Sequence, residues 1–350
     1  MAEDNWYSNG NNNWNATNAW NTQADGGGTA LSNPDADAHV IIQGSDTITV
    51  TAAIGNTIKS LTIDSGSDLD GHASHIIETT AEGDSSFGTN GYAVKINGTT
   101  DSNVNLTIGG TFTTLVDLDG TMGNLILKGS GSKQFRGTPT IGGNVTIQDN
   151  CPVDCAGAVQ INGNFTITSG SYSTTTSDHA LTVTGSTTVS NGTLTLNGST
   201  CIFNTGATAG GLITNHASAV VVADADSTCT FGSIALHSDG CDVRLAGTNT
   251  INKYLASTDI IIHAMNNTVD AASAFTVTTP DAKGFAVQDT SVTLTITPAS
   301  SIAYKLEDTM NVAALTISAN ASLTTLDGSS NRGLNVSGTT SVSGTLTCNA

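Results

Sequence analysis

Carboxylates at alternate positions are the first residues whose spacing could do chemistry. In "VDLDG" Asp117 and Asp119 stand two apart, and Asp64, Asp68 and Asp70 show similar close spacing earlier. Residues i and i+2 of a β-strand share a face, so Asp117 and Asp119 could meet one ligand, a calcium ion or a glycan. Paired acids in a ring-lined groove would cleave that glycan. The rings are missing: the chain has three tryptophans, none beyond Trp20, and only five tyrosines. The competing reading is two solvated turn residues. No residue is therefore assigned to catalysis, the protein is expected not to be an enzyme, and no cofactor is required beyond incidental calcium at a turn. In "GHASHIIE", His72 and His75 have an H-x-x-H spacing with Glu78 beyond. Nothing predicts a helix there to align the rings, so no metal site is assigned. Six cysteines fall at Cys151, Cys155, Cys201, Cys229, Cys241 and Cys348. Buried free thiols are the expectation, with Cys151–Cys155 the first pair to consider for a bridge.

The elements that must position these groups are short strands. The composition is rich in Gly, Ser, Thr, Asn, Val, Leu and Ile, with 38 glycines and only five prolines in 350 residues. Thr, Val and Ile favour strands, and Gly with Asn favours tight turns. Charged residues are only 11% of the chain, yet the formal charge is −19. Such a surface repels phosphate backbones and anionic lipid, so neither nucleic acid nor a membrane is an expected partner. No apolar run approaches the length of a membrane span.

The strands also repeat. "LTVTGSTTVSNGTLTLN" from Leu181 is echoed by "LNVSGTTSVSGTLTCN" from Leu334, and "SLTIDSGSDLDG" by "ALTISANASLTTLDG". Gly110, Gly129, Gly143, Gly163 and Gly185 fall about twenty residues apart, a solenoid period. Strands of four or five residues cannot bury a face alone, whereas stacked coils align inward residues into apolar columns. Leu181, Val183, Leu194 and Leu196 should point inward, and Thr182, Thr184, Thr193 and Thr195 outward. The Thr-x-Thr runs resemble ice-binding arrays in spacing, but the interruptions between them favour ordinary exposed strand faces. The predicted fold is all-β, a parallel β-solenoid; tandem antiparallel β-sandwich domains are the alternative. Residues 36–350 form the solenoid, with a loop insertion near 68–91 and a bend or thicker coil over Ile251–Phe275.

Residues 1–35 stand apart. Trp6, Tyr7, Trp14 and Trp20 are spaced through a polar, Asn-Gly-rich segment. A solenoid's first coil has an unpaired edge that invites runaway stacking, so these rings could cap the core. They could equally dock into a partner protein or stack on sugar.

The layout "NWYSNGNNNWNATNAWN", then "NPDADAHVIIQGSDTITV", then "SLTIDSGSDL" resembles the opening of phage and bacterial β-solenoid surface proteins, over about the first seventy residues. The start at "MAEDNW", without a secretory signal, fits the phage side. The resemblance implies a virion structural protein, a surface-exposed capsid decoration, fibre or tail appendage. It would be made in the host cytoplasm, sit at the virion surface and attach to other virion proteins through the N-terminal segment, with homo-oligomers and a host surface glycan as further partners. It transfers no catalytic residue. The alternatives are a host-glycan binding or depolymerising tailspike-like protein, and a bacterial surface adhesin or filament subunit.

Overall fold

The computed structural model describes residues 4–348 except 81–90, 120, 175–177, 204–210, 217, 225, 233, 237–241, 246–247, 252–273, 278–283, 286–287, 297–300, 307–308 and 328–329. Among the described residues there is no helix, and nearly every strand pairing is parallel. The chain is a parallel β-solenoid. It divides into two compact units, 1–164 with 169–172, and 165–168 with 173–350.

In the first unit each coil supplies strands to three faces. On the first face Trp6, Val40, Leu61, Val94, Val116, Phe135 and Cys155 occupy one register column, each at most 8% exposed. On the third face Ile77, Leu106, Leu125 and Val145 form another. Alternation produces these columns: in "TLVDL" the pattern is buried, half-buried, buried, half-buried, buried, because only every second side chain points inward. Hydrogen-bonded equivalents on neighbouring coils lie 19 to 21 residues apart at many positions. The corners are as specific as the strands. Gly110 and Gly129 stack with φ of 80° and 84°, and a side chain on Gly129 would run into the Gly110 carbonyl.

The second unit follows the same rule. Leu181, Val183, Leu194 and Leu196 are buried, while Thr182, Thr193 and Thr195 are half-buried and Thr184 exposed. Phe203 and Phe231 stack in register with centroids 5.1 Å apart.

Two boundaries differ from the sequence expectation. The parallel stack begins inside residues 1–35: Asp4–Ser8 lies parallel on Ala38–Ile42, and Asn12–Asn13 on Thr47–Thr49. The cap proper comes next. Trp20–Asn21 pairs antiparallel with Tyr7 and Ser8, and Ala30–Leu31 pairs antiparallel with Trp20–Asn21. Within 68–91, Asp68–Asp70 and Ile76–Thr79 are regular strands of the stack rather than loop. Only the bulge at 71–75 leaves the coil among the described residues, and 81–90 lies outside them, as does most of Ile251–Phe275.

Candidate functional site

A shallow groove runs across the third face of the first unit. Four parallel strands build it: Ile76–Thr79, Asn105–Ile108, Leu125–Leu127 and Val145–Ile147. One outward column is Ile76, Asn105 and Asn124, continued by Asn144 at the next corner; the other is Glu78, Thr107, Ile126 and Thr146. Two concavities of about 320 Å³ each open here, sharing Ser74 and Ile76.

The amides are not loose side chains. Asn124 donates through Nδ2 to Asn105 Oδ1 at 2.8 Å, and its backbone N–H donates to the same oxygen at 3.0 Å. Asn124 Oδ1 then accepts the Asn144 N–H at 2.8 Å, and Asn144 Oδ1 the Asn164 N–H at 2.8 Å. Asn105 Nδ2 reaches the other way, to the His72 carbonyl at 3.2 Å and the Asn103 carbonyl at 3.0 Å. The ladder therefore ties the 71–75 bulge to the stack, and the groove's shape is set by backbone-anchored groups.

His72 and His75 stack with centroids 4.2 Å apart, and His72 Nδ1 accepts the Ser74 N–H at 3.2 Å. Glu78 pairs with Lys128 at 2.6 Å. Among the described residues no three His, Cys, Asp or Glu side chains converge on one point. The groove mixes apolar side chains with amides and hydroxyls, and Ile76 in it is exposed by 47%. Such a surface suits a polyhydroxylated polymer, which offers both C–H faces and hydroxyls.

Asp117 and Asp119 lie elsewhere, on the first face. Asp117 stands in register between Lys95 and Arg136, so its column reads plus, minus, plus. Burial first, and then Asp119, push its pKa above the ordinary carboxylate value, while Lys95 and Arg136 pull it down. The two acids sense each other, with a cation in register on either side of Asp117. Asp68 and Asp70 face outward on the second face, with Thr49 Oγ1 3.5 Å from Asp70 Oδ2.

The tryptophans are interior. Trp14 and Trp20 are 1% and 0% exposed and meet edge to face at 5.0 Å, and Trp20 Nε1 donates to the Trp14 carbonyl at 2.8 Å. Trp6 fills the first coil, and only Tyr7 of the four rings is half-buried. The indoles themselves are thus not available to a partner or a sugar.

Cys151, Cys155, Cys201 and Cys229 are buried free thiols, and Cys348 is an exposed one. Cys151 and Cys155 share one extended strand, about 13 Å apart, well beyond disulfide reach. Cys201 and Cys229 stack in register, and the hydrogen bond with Cys201, followed by burial, holds the Cys229 thiol protonated.

Sequence reasoning missed Lys133. It is fully buried, and its Nζ donates to the carbonyls of Gly131 at 2.9 Å and Phe112 at 3.1 Å. It also missed a longer threonine register in the second unit. Positions 230, 250, 276, 295 and 316 align as one threonine column. Its neighbour, Thr228, Thr248 and Thr293, is interrupted at Ala274 and Ala314. Thr182 and Thr195 instead sit beside Ile202 and Val222, so those runs are ordinary strand faces.

Set beside known proteins, the chain matches no family model, no curated protein and no solved structure.

Proposed function

We propose that the protein is a structural component of a phage virion, displayed at the surface as a capsid decoration, fibre or tail appendage. The observation that supports this best is where the polar side chains go. Asn105, Asn124, Asn144 and Lys133 all bond to the protein's own backbone, reinforcing the stack. Parallel ladders reinforced in this way suit a load-bearing surface element, and the charge of −19 keeps it soluble at high local density. With the indoles buried, attachment falls to the exposed amides around them, Asn9, Asn11, Asn13 and Asn15, beside Tyr7.

Removing residues 1–35 would strip the first coil as well as the cap, so charge substitution is the cleaner test. Asn13→Lys with Asn15→Lys should abolish incorporation into particles while the protein stays folded. Washed particles that lack the unaltered protein, by quantitative mass spectrometry, would reject the proposal.

A second reading, contact with a host glycan, is favoured by the groove's mixture of amides, threonines and isoleucines. Titration calorimetry with host surface polysaccharide should give heat that Ile76→Asp removes. Equal heat from both proteins would place the binding elsewhere.

A further inference from the structure

The stack sets Cys201 and Cys229 side by side on successive coils. Thr200–Phe203 lies parallel on Thr228–Phe231, with Cys201 opposite Cys229 and Phe203 opposite Phe231. In-register neighbours on adjacent strands have Cα atoms about 4.8 Å apart, inside the roughly 4.4–6.8 Å that a disulfide spans. Their side chains leave the sheet in the same direction, so the Cβ atoms stand about as far apart. That is only a few tenths of an ångström beyond the usual disulfide range. The rings two residues on hold the register, stacked at 5.1 Å and within 5° of parallel.

The two thiols are not equivalent. Cys229 donates its S–H to Cys201, and that bond, helped by the Leu181 backbone, holds the Cys201 thiol below its ordinary range against the effect of burial. The same bond, followed by burial, holds Cys229 protonated. A thiolate is the form that attacks an oxidant, so Cys201 reacts first and Cys229 stands ready to resolve the product. Cys151 differs: burial raises it to about 11, and Cys155 is about 13 Å away along the same strand.

We propose that Cys201 and Cys229 are an oxidation site, at which a small peroxide closes a disulfide that clasps two successive coils of the second unit. The pair is 0% and 1% exposed, which calls for an oxidant close to water in size, such as hydrogen peroxide. The Cys201 thiolate attacks one peroxide oxygen and the O–O bond breaks, leaving a sulfenic acid on Cys201. The departing hydroxide takes up the proton that Cys201 gave away. Cys229 sulfur then attacks Cys201 sulfur, the S–O bond breaks, and the hydroxyl leaves as water with the Cys229 proton. Two thiols and one peroxide thus give one disulfide and two waters, with two electrons passing from sulfur to oxygen. The bridge removes freedom from the unfolded chain and so steadies these coils.

The test treats the folded full-length protein with hydrogen peroxide, then quenches, unfolds and alkylates it. Cleavage before Asp224 and Asp226 separates the two cysteines for mass spectrometry. The peptides of Cys201 and Cys229 should be found disulfide-linked, and oxidation of the exposed Cys348 in the same sample shows that peroxide acted. In Cys229→Ala, Cys201 should stop at the sulfenic acid and take up dimedone on unfolding, whereas Cys201→Ala should leave Cys229 without dimedone. The oxidised parent should melt roughly 5–10 °C above the reduced parent, and Cys201→Ala treated in the same way should show no rise. A parent in which Cys348 is oxidised while Cys201 and Cys229 are both still alkylated would overturn the proposal. So would a bridge from Cys201 to another cysteine, or a bridged parent that melts no higher than the reduced one.

Discussion

Trp20→Ala should unfold the N-terminal cap while most of the remaining stack persists. Trp20 is fully buried, packs edge to face on Trp14 and donates its indole N–H to the Trp14 carbonyl. Deleting a buried tryptophan side chain costs about 3–5 kcal/mol, a range that includes the cavity left behind. The lost hydrogen bond and ring pair place this site in the upper half of it, about 4 kcal/mol. A unit of this size has a urea m-value near the bottom of the usual range, about 1 kcal/mol/M. A loss of about 4 kcal/mol then moves the cap midpoint by about 4 M, enough to unfold the cap without denaturant. The chain carries its own reporter, because all three tryptophans lie within the first twenty residues. Tryptophan emission therefore follows the cap, and far-ultraviolet circular dichroism follows the sheets. In Trp20→Ala the emission of Trp6 and Trp14 should shift to that of solvated indole in plain buffer, with only a small loss of β signal. Tyr7→Ala, at a half-buried outward position, should shift the emission midpoint by less than about 1 M. Blue emission and an unmoved midpoint in Trp20→Ala would refute the assignment of these rings as the cap's core.

Three further outcomes follow from the same bonds. Asn124→Asp places a carboxylate against Asn105 Oδ1, where the amide donates at 2.8 Å, and should cost about 2 kcal/mol by urea unfolding at neutral pH. Its folded-state pKa must lie above the unfolded value, so the lost stability should return as pH falls below about 4. Lys133→Met should change how stability depends on alkaline pH. Burial lowers the Lys133 pKa, so the unfolded chain binds more protons over that window and this contribution rises with pH up to about 10.5. Cys151, raised to about 11 chiefly by burial, acts with the opposite sign but is present in both proteins. Removing Lys133 also removes a cation that lowers the Cys151 pKa, so the parent-minus-variant difference should climb as pH rises toward about 10.5, and a flat difference would contradict the burial of a charged Lys133. Glu78→Gln breaks an ion pair open to solvent, so it should change the unfolding free energy from urea titration by no more than about 0.5 kcal/mol.

The inward columns were legible because period-two alternation is carried by residue type: Leu181, Val183, Leu194 and Leu196 read as one face directly. The first coil was not. "DNWYS" has few strand formers, and its pairing energy comes from Ala38–Ile42, more than thirty residues away. Composition marked that segment as a separate arm, while the fold uses Trp6 as an ordinary core residue. The amide ladder did leave a signal, Gly-Asn followed by an apolar residue at 123–125, 143–145 and 163–165. Reading the glycines alone recovered the period without the bonds that the asparagines make. Lys133 was legible too, since Lys133 and Phe135 share an alternation phase, but a lysine between serines and glutamine reads as solvated. The charge column around Asp117 depends on which coil lies beside which, and no local spacing encodes that register.

Where a ligand or partner can act on this chain is constrained by the same geometry. Inward positions are filled, so recognition is left to outward columns, corners and coil edges. Of the outward columns, the one at Asp117 is balanced by Lys95 and Arg136, whereas the one beginning at Ile76 opens beside a bulge and leaves apolar surface next to amides. Of the coil edges, the one at Tyr7 and Ser8 is paired by the antiparallel strand Trp20–Asn21, which Ala30–Leu31 pairs in turn. Substitutions that disturb function without lowering stability should therefore concentrate at the Ile76 groove. Elsewhere in these coils a functional defect should come with a loss of fold.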